Sequence, residues 1–191
     1  MITLIAGICL GSVYQITKQP IARAEAKAKQ EAYQKVFKNA EFEAGDELKE
    51  KVEGAEAFFE NQGTAGVTVV EVMKAVDQSG NTAGYVMTLV SGQGYGGDIK
   101  MSLGIDKDGT ITGLEILSMS ETAGLGAKCT EEAFKDQFAG ISADEITYTK
   151  SGKAADHEID AISGATITTK AVTGAVNAGI AFIKSEILGM Q

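Results

Sequence analysis

Apolar residues run almost unbroken from Met1 to Ile16, interrupted by Thr3, Ser12, Tyr14 and Gln15. As a helix this stretch is about 24 Å long at 1.5 Å per residue, against a bilayer hydrocarbon core of ~30 Å. It has neither a basic leader nor a small-x-small cleavage site, and Ile8 before Cys9 does not suit lipid attachment. A transmembrane anchor over residues 1–17 is the expectation, with Gly7 and Gly11 forming a GxxxG face for packing on another membrane helix. Lys18, Arg23, Lys27 and Lys29 follow, and taken alone would place the remainder in the cytoplasm; Glu25 and Glu31 dilute that signal.

Pro20, the only proline, suits the first turn of a new helix, and "IARAEAKAKQEAYQKVF", residues 21–37, is rich in strong helix formers. The acidic segment "DELKEKVEGAEAFFENQG", residues 46–63, reads as a partly helical connector, so residues 18–62 form a helical linker. From Val67 the period becomes that of strands. "VTVVEVMKAV" turns through "DQSGN" into "TAGYVMTLV", then "SGQGYGG", "DIKMSLGI", the hairpin turn "DKDG" and "TITGLEILSMS". Four strands joined by short loops predict an antiparallel meander, and with helices on either side the fold class is α+β. Last comes a nearly all-apolar helix near residues 171–188. Ile167, Ala171, Ala175, Ala178 and Phe182 form one stripe, and only Lys170, Asn177, Lys184 and Glu186 break the pattern. Such a helix must be covered, most simply by the sheet, with Gly174, Ala175, Ala178 and Gly179 allowing close approach. Residues 63–191 are the expected globular domain.

The chain of 191 residues is 44% hydrophobic, enough for one domain with a real core plus an appendage. Its net charge of −9 opposes binding to phosphate backbones, so no nucleic-acid partner is expected. Two distant cysteines, Cys9 and Cys129, exclude a disulfide framework, a cysteine-ligated iron–sulfur cluster and a c-type haem. The single histidine, His157, lies among charges in "KAADHEID" and reads as a solvated loop residue, so no metal site is expected.

Three stretches carry candidate chemistry. "GQGYGG", residues 92–97, surrounds Tyr95 with glycines; by itself it reads as a flexible hairpin tip. "SETAGLGAK", residues 120–128, has Gly124 and Gly126, which let backbone amides approach a flat or anionic ligand. It has neither P-loop nor dinucleotide-fold spacing. "TEEAFKDQFAG" after it reads as a short helix capped by Thr130. "DAISGATITT", from Asp160 to Thr169, opens the last helix with three hydroxyls where one would cap it. A helix start is an anion site, although "SGAT" alone reads as a serine or threonine cap on a turn made by Gly164.

Together "DAISGAT" and "ETAGLG", about 40 residues apart, resemble the two signatures of the FMN-binding domain family. That family is shared by the G subunit of the Rnf electron-transport complex and the C subunit of the sodium-pumping NADH:quinone reductase; this compact chain is more similar to the former. The resemblance implies FMN joined through its phosphate to Thr166 by a separate flavin transferase that uses FAD. It implies that the first-turn amides hold the phosphodiester, with Thr168 and Thr169 either adding donors or filling the turn. Ser163 would bond the phosphate or cap the helix, Gly164 and Ala165 would keep the turn slim, and Asp160 would serve transferase recognition, base assistance or the turn itself. Glu121 and Thr122 would meet the polar edge of the isoalloxazine, Leu125 and Gly126 its face, and Tyr95 would stack or shield. The family usually has proline at the position of Ala123. The implied function is an electron-relay subunit of an ion-translocating ferredoxin:NAD+ oxidoreductase, membrane-anchored by a single span, with its domain outside the cytoplasm and other Rnf subunits as partners. The alternatives are a quinone-reductase C subunit, a stand-alone flavin carrier, or a tethered module with no redox role.

Overall fold

The computed structural model describes residues 2–64 and 66–190. Helix α1 spans Ile2–Val36. The chain divides into two compact units, one up to Glu31 and one from Ala32 onward. Pro20 does not begin a new helix: α1 passes through it, at the cost of the hydrogen bond that the missing N–H would have made. No described helix is long and apolar enough to cross a membrane. The anchor expected over residues 1–17 therefore does not stand out as a span, because Gln15, Lys18 and Gln19 follow the apolar run closely.

In the second unit, β1 (Glu41–Glu43), β2 (Val67–Val76), β3 (Thr82–Ser91), β4 (Ile99–Asp106) and β5 (Ile111–Ser118) form an antiparallel sheet in sequence order. The four long strands are those expected from the alternation. Their tight turns share one device. Asp77 Oδ1 accepts the amides of Ser79 (2.8 Å) and Asn81 (2.9 Å), and Asp106 Oδ1 those of Asp108 (2.9 Å) and Thr110 (2.8 Å). Gly80 and Gly109 supply the positive φ each turn needs, 81° and 82°.

One face of the sheet carries Met87, Leu89, Met101, Leu103 and Ile105, all buried in the main core together with the last helix, α5 (Thr166–Phe182). Helices α2 (Asp46–Glu53) and α3 (Ala55–Asn61) belong to the same core: Phe58 and Phe59 pack edge-on and tilted against Phe182, with ring centroids 5.6 and 5.9 Å away. Of the small residues expected to admit the sheet, Gly179 does so, since a Cβ there would press on Met87, Leu89 and Leu103; Gly174 faces open space. Polar interruptions of α5 and of the π-helical turn that follows it, Ile183–Ile187, also have structural roles. The Asn177 amide bonds both the N–H and C=O of Ile146 (2.8 and 2.9 Å), and Lys184 reaches Ala143 O (3.0 Å) and Asp144 (2.8 Å).

The opposite face is covered by residues that sequence patterning assigned to the linker. Tyr33, Val36, Phe37 and Ala40 form a second buried cluster with Ala75 and Val86. Gly84, Gly104 and Gly113 make the trough that receives them: a Cβ at any of the three would collide with Phe37 or the Val36 backbone. Tyr33 OH donates to Glu71 (2.5 Å) and meets Thr88 Oγ1 (2.8 Å), and Thr112 Oγ1 donates to Val36 O (2.5 Å). Burial, reinforced by the Glu71 carboxylate, raises the Tyr33 phenol well above its ordinary value.

Glu115 on β5 ties this layer to α4 (Glu132–Lys135), accepting from Lys35 (3.0 Å) and from the buried Lys135 (2.6 Å). Burial pulls the Glu115 carboxyl upward, but the two lysines outweigh it and hold its pKa below the usual carboxylate value. The ionised form is thus favoured by folding. Its stabilisation is complete above the ordinary glutamate value of about 4.3 and is lost as pH falls through the lower folded-state value. Glu115→Gln is expected to cost about 1–3 kcal/mol at pH 7 and to converge on the native protein in acid, as read from urea unfolding at a series of pH values.

Candidate functional site

After β5 the chain enters a turn in which Thr122 O accepts the amides of Leu125 and Ala127, both at 3.1 Å. Gly124 lies at the third position with φ 76°. This is the pattern of a type II turn, whose second position favours proline; Ala123 occupies that position and is solvent-exposed. A 3-10 turn, Gly126–Thr130, follows. Thr130 does not cap the next helix as expected, because its hydroxyl closes the preceding turn onto Ala127 O (2.9 Å).

The Glu121 side chain, only 9% exposed, reaches from this loop into two others. Oε1 accepts the Gly96 amide (3.0 Å) and Oε2 the Thr168 hydroxyl (2.7 Å). Close packing requires glycine at three positions. A Cβ at Gly94 or Gly126 would strike the Glu121 carboxylate, and one at Gly96 would strike the Ser120 carbonyl. The segment 92–97, which in isolation reads as a loose hairpin tip, is therefore pinned.

The third side is the head of α5. Strand β7 (Glu158–Asp160) pairs in parallel with β6 (Thr147–Thr149), and the chain then turns through Gly164, with φ 76°, into the helix. No side chain caps α5, so the amides of its first turn have no intrahelical acceptor. The three threonine hydroxyls are divided. Thr169, fully buried, donates to Ala165 O (3.0 Å) and accepts the Ile162 N–H (3.1 Å). Thr168 is spent on Glu121. Only the Thr166 hydroxyl, half-buried, is uncommitted among the described residues.

These three segments enclose an open cavity of about 500 Å³. Of the residues expected at a site, Thr166, Gly164, Ala165 and Thr168 line it from the helix side, Glu121, Thr122, Leu125 and Gly126 from the turn, and Tyr95 from the glycine loop. Ser163 and Asp160 are exposed outside the lining, and Thr169 lies beneath it. Ile167 was missed. Helical periodicity puts it on the buried stripe, yet it is 51% exposed and lines the cavity, while Thr168 and Thr169 beside it are buried. Its one legible signal is its place between Thr166 and Thr168. With Tyr95 (70% exposed) and Leu125 (45%), it gives the cavity an apolar rim.

No lining residue is basic, so an anion here must be held by backbone amides and the helix dipole. Cys129 lies nearby but is no nucleophile: burial, and then the Glu121 charge, push its thiol up to about 11. His157 is exposed, with no metal-binding cluster among the described residues. Removing the Glu121 carboxylate frees the Gly96 amide and leaves the buried Thr168 hydroxyl without its acceptor. Glu121→Ala is expected to lose about 1–3 kcal/mol and to speed amide exchange selectively in residues 94–97, as measured by hydrogen–deuterium exchange.

Residues 94–181 match the family described as FMN-binding domain. The G subunit of the ion-translocating oxidoreductase complex of Methanosarcina acetivorans is 33% identical over 190 residues, covering 97% of this chain and 91% of that protein. The G subunit of the proton-translocating ferredoxin:NAD(+) oxidoreductase complex of Clostridium ljungdahlii is 30% identical over 176 residues, covering 92% and 83%. Among solved structures, NqrC of Shewanella oneidensis is similar with a TM-score of 0.53 at 23% identity, covering 62% of this chain and 58% of that one. That is a likeness of fold.

Proposed function

We propose a function for this chain from its family: it belongs to the FMN-binding domain family, together with the G subunits of ion-translocating oxidoreductase complexes. It is the FMN-bearing electron-relay subunit of such a complex. The observation that carries this reading is the cavity at the uncapped head of α5, with one uncommitted hydroxyl, Thr166, at its edge.

The residues fit the group. A volume of about 500 Å³ lies within the ~300–1,000 Å³ of small-molecule sites, and the exposed apolar rim suits a flat ring system. Free first-turn amides suit a phosphodiester, and the absence of a basic side chain suits a phosphate whose place is set by a covalent bond. Thr166 Oγ provides that bond. In the reaction the Oγ–P bond forms while the pyrophosphate bond of FAD breaks, AMP leaves, and the hydroxyl proton passes to the flavin transferase or to solvent. An unactivated threonine is a poor nucleophile, which is why a separate transferase is a partner. Asp160, exposed on the approach to the turn, is its recognition residue.

When bound, FMN supplies reversible electron transfer, and the protein controls its position and electrostatics. Leu125, Ile167 and Tyr95 would cover the ring and Thr122 would meet its polar edge, while Glu121 places a carboxylate beside the site, which disfavours added negative charge. The chain works among other subunits of an ion-translocating ferredoxin:NAD+ oxidoreductase. The apolar stretch of α1 packs at the membrane, against partner helices along its GxxxG face, and the folded domain lies on the extracytoplasmic side. A G-subunit role is favoured over that of the quinone-reductase C subunit because the G-subunit similarity extends over almost the whole chain.

Co-expression with a flavin transferase tests the attachment. The native chain is expected to fluoresce as a flavoprotein band after denaturing electrophoresis, and Thr166→Ala to lose that fluorescence entirely while remaining folded. A fluorescent Thr166→Ala band, or a dark native band, would overturn the assignment.

A further inference from the structure

The turn that presents Thr166 is held by a closed set of hydrogen bonds centred on a residue outside the cavity. Thr169 Oγ1 accepts the Ile162 amide (3.1 Å) and donates to the Ala165 carbonyl (3.0 Å). Ala165 returns its own amide to Ile162 O (3.0 Å), and the Thr169 amide also binds Ala165 O (3.0 Å). One buried hydroxyl thus bonds both ends of the Ile162–Ala165 turn. Ser163 and Gly164 lie between them, exposed, with Gly164 at φ 76°. The segment leading in is braced as well. The Asp160 amide donates to Gln137 Oε1 (2.6 Å), Gln137 Nε2 reaches Asp160 O (3.4 Å), and the Ala161 amide binds Thr149 O (2.8 Å).

This pattern is more than a helix start needs. Thr169 does not cap α5, since its hydroxyl receives an amide from before the helix rather than from its first turn. Only a side chain that both donates and accepts can close the ring. Thr169 is 0% exposed, so water cannot replace it.

We propose that Thr169 is a positioning residue for the attachment of the flavin, with Gln137 as its outer brace. By fixing the Ile162–Ala165 turn it sets the direction in which Thr166 Oγ is offered to the incoming flavin donor. The inference rests on Thr166 being the covalent acceptor. Thr169 exchanges no atom or proton in that step; it contributes orientation, and displacement of a reacting atom by about 1 Å can cost up to ~100-fold in rate.

The test uses the full chain, prepared without flavin, and purified transferase with FAD. Amide exchange at Ile162 and Ala165 is measured first, then the rate of covalent flavin uptake. Thr169→Val keeps the shape and removes the hydroxyl: protection at Ile162 should vanish, and uptake should slow about tenfold or more. Thr169→Ser keeps the hydroxyl and should restore both. Gln137→Ala should slow uptake with the Ile162 amide still protected. Retained protection at Ile162 in Thr169→Val, or uptake at the native rate, would overturn the proposal. If Thr169→Val fails to fold, Gln137→Ala decides: slower uptake supports the bracing and an unchanged rate overturns it. A native chain that takes up no flavin removes the acceptor reading, and the positioning role with it; amide exchange still reports separately whether Thr169 holds the turn.

Discussion

The site depends on a single buried carboxylate. Glu121 receives an amide from Gly96 and a hydroxyl from Thr168, joining the β3–β4 loop, the turn after β5 and the head of α5, which are far apart in sequence. With both oxygens engaged by the protein, its first task is assembly, and its charge beside the cavity is a consequence. The glycines at 94, 96 and 126 follow from the same constraint, since each lies where a Cβ would strike Glu121 or the adjoining Ser120 carbonyl. A cluster that looks like a flexible loop is a close-packed contact.

The three threonines at the head of α5 have separate roles. Thr168 completes the Glu121 contact and Thr169 closes the turn before the helix, which leaves Thr166 as the hydroxyl open to chemistry. The cavity between these segments has a preformed apolar rim of Tyr95, Leu125 and Ile167, so a flat ligand would enter it with little reorganisation. The scaffold beneath supports that rigidity: α5 on one face of the sheet and residues Tyr33–Ala40 on the other bury the central strands on both sides.

Much of this was legible because local physics dictates it. Alternating β-branched residues and the aspartate–glycine turns located the four long strands, and two short motifs identified most of the cavity lining. What was hidden depends on tertiary contact. Nothing in "AYQKVFKNA" shows that it fills a trough of three glycines drawn from three strands. β1 is too short to carry a period, and Gln137 lies 23 residues before the Asp160 backbone it braces. Ile167 obeys the helical stripe, yet at the head of α5 it is Thr168 and Thr169 that are buried, bonded to Glu121 and to the Ile162 amide. Thr130 fits a capping pattern, but the preceding turn takes its hydroxyl first.

Of the hydroxyls at the head of α5, those of Thr168 and Thr169 are spent and that of Ser163 is exposed outside the cavity lining, so the proposed attachment of a flavin phosphate falls to Thr166. Tandem mass spectrometry of the peptide spanning residues 154–170, from protein matured with its transferase, tests this directly. The added mass, FMN less one water, should localise to Thr166. Its appearance on Ser163, Thr168 or Thr169 would contradict the division of roles that the geometry implies.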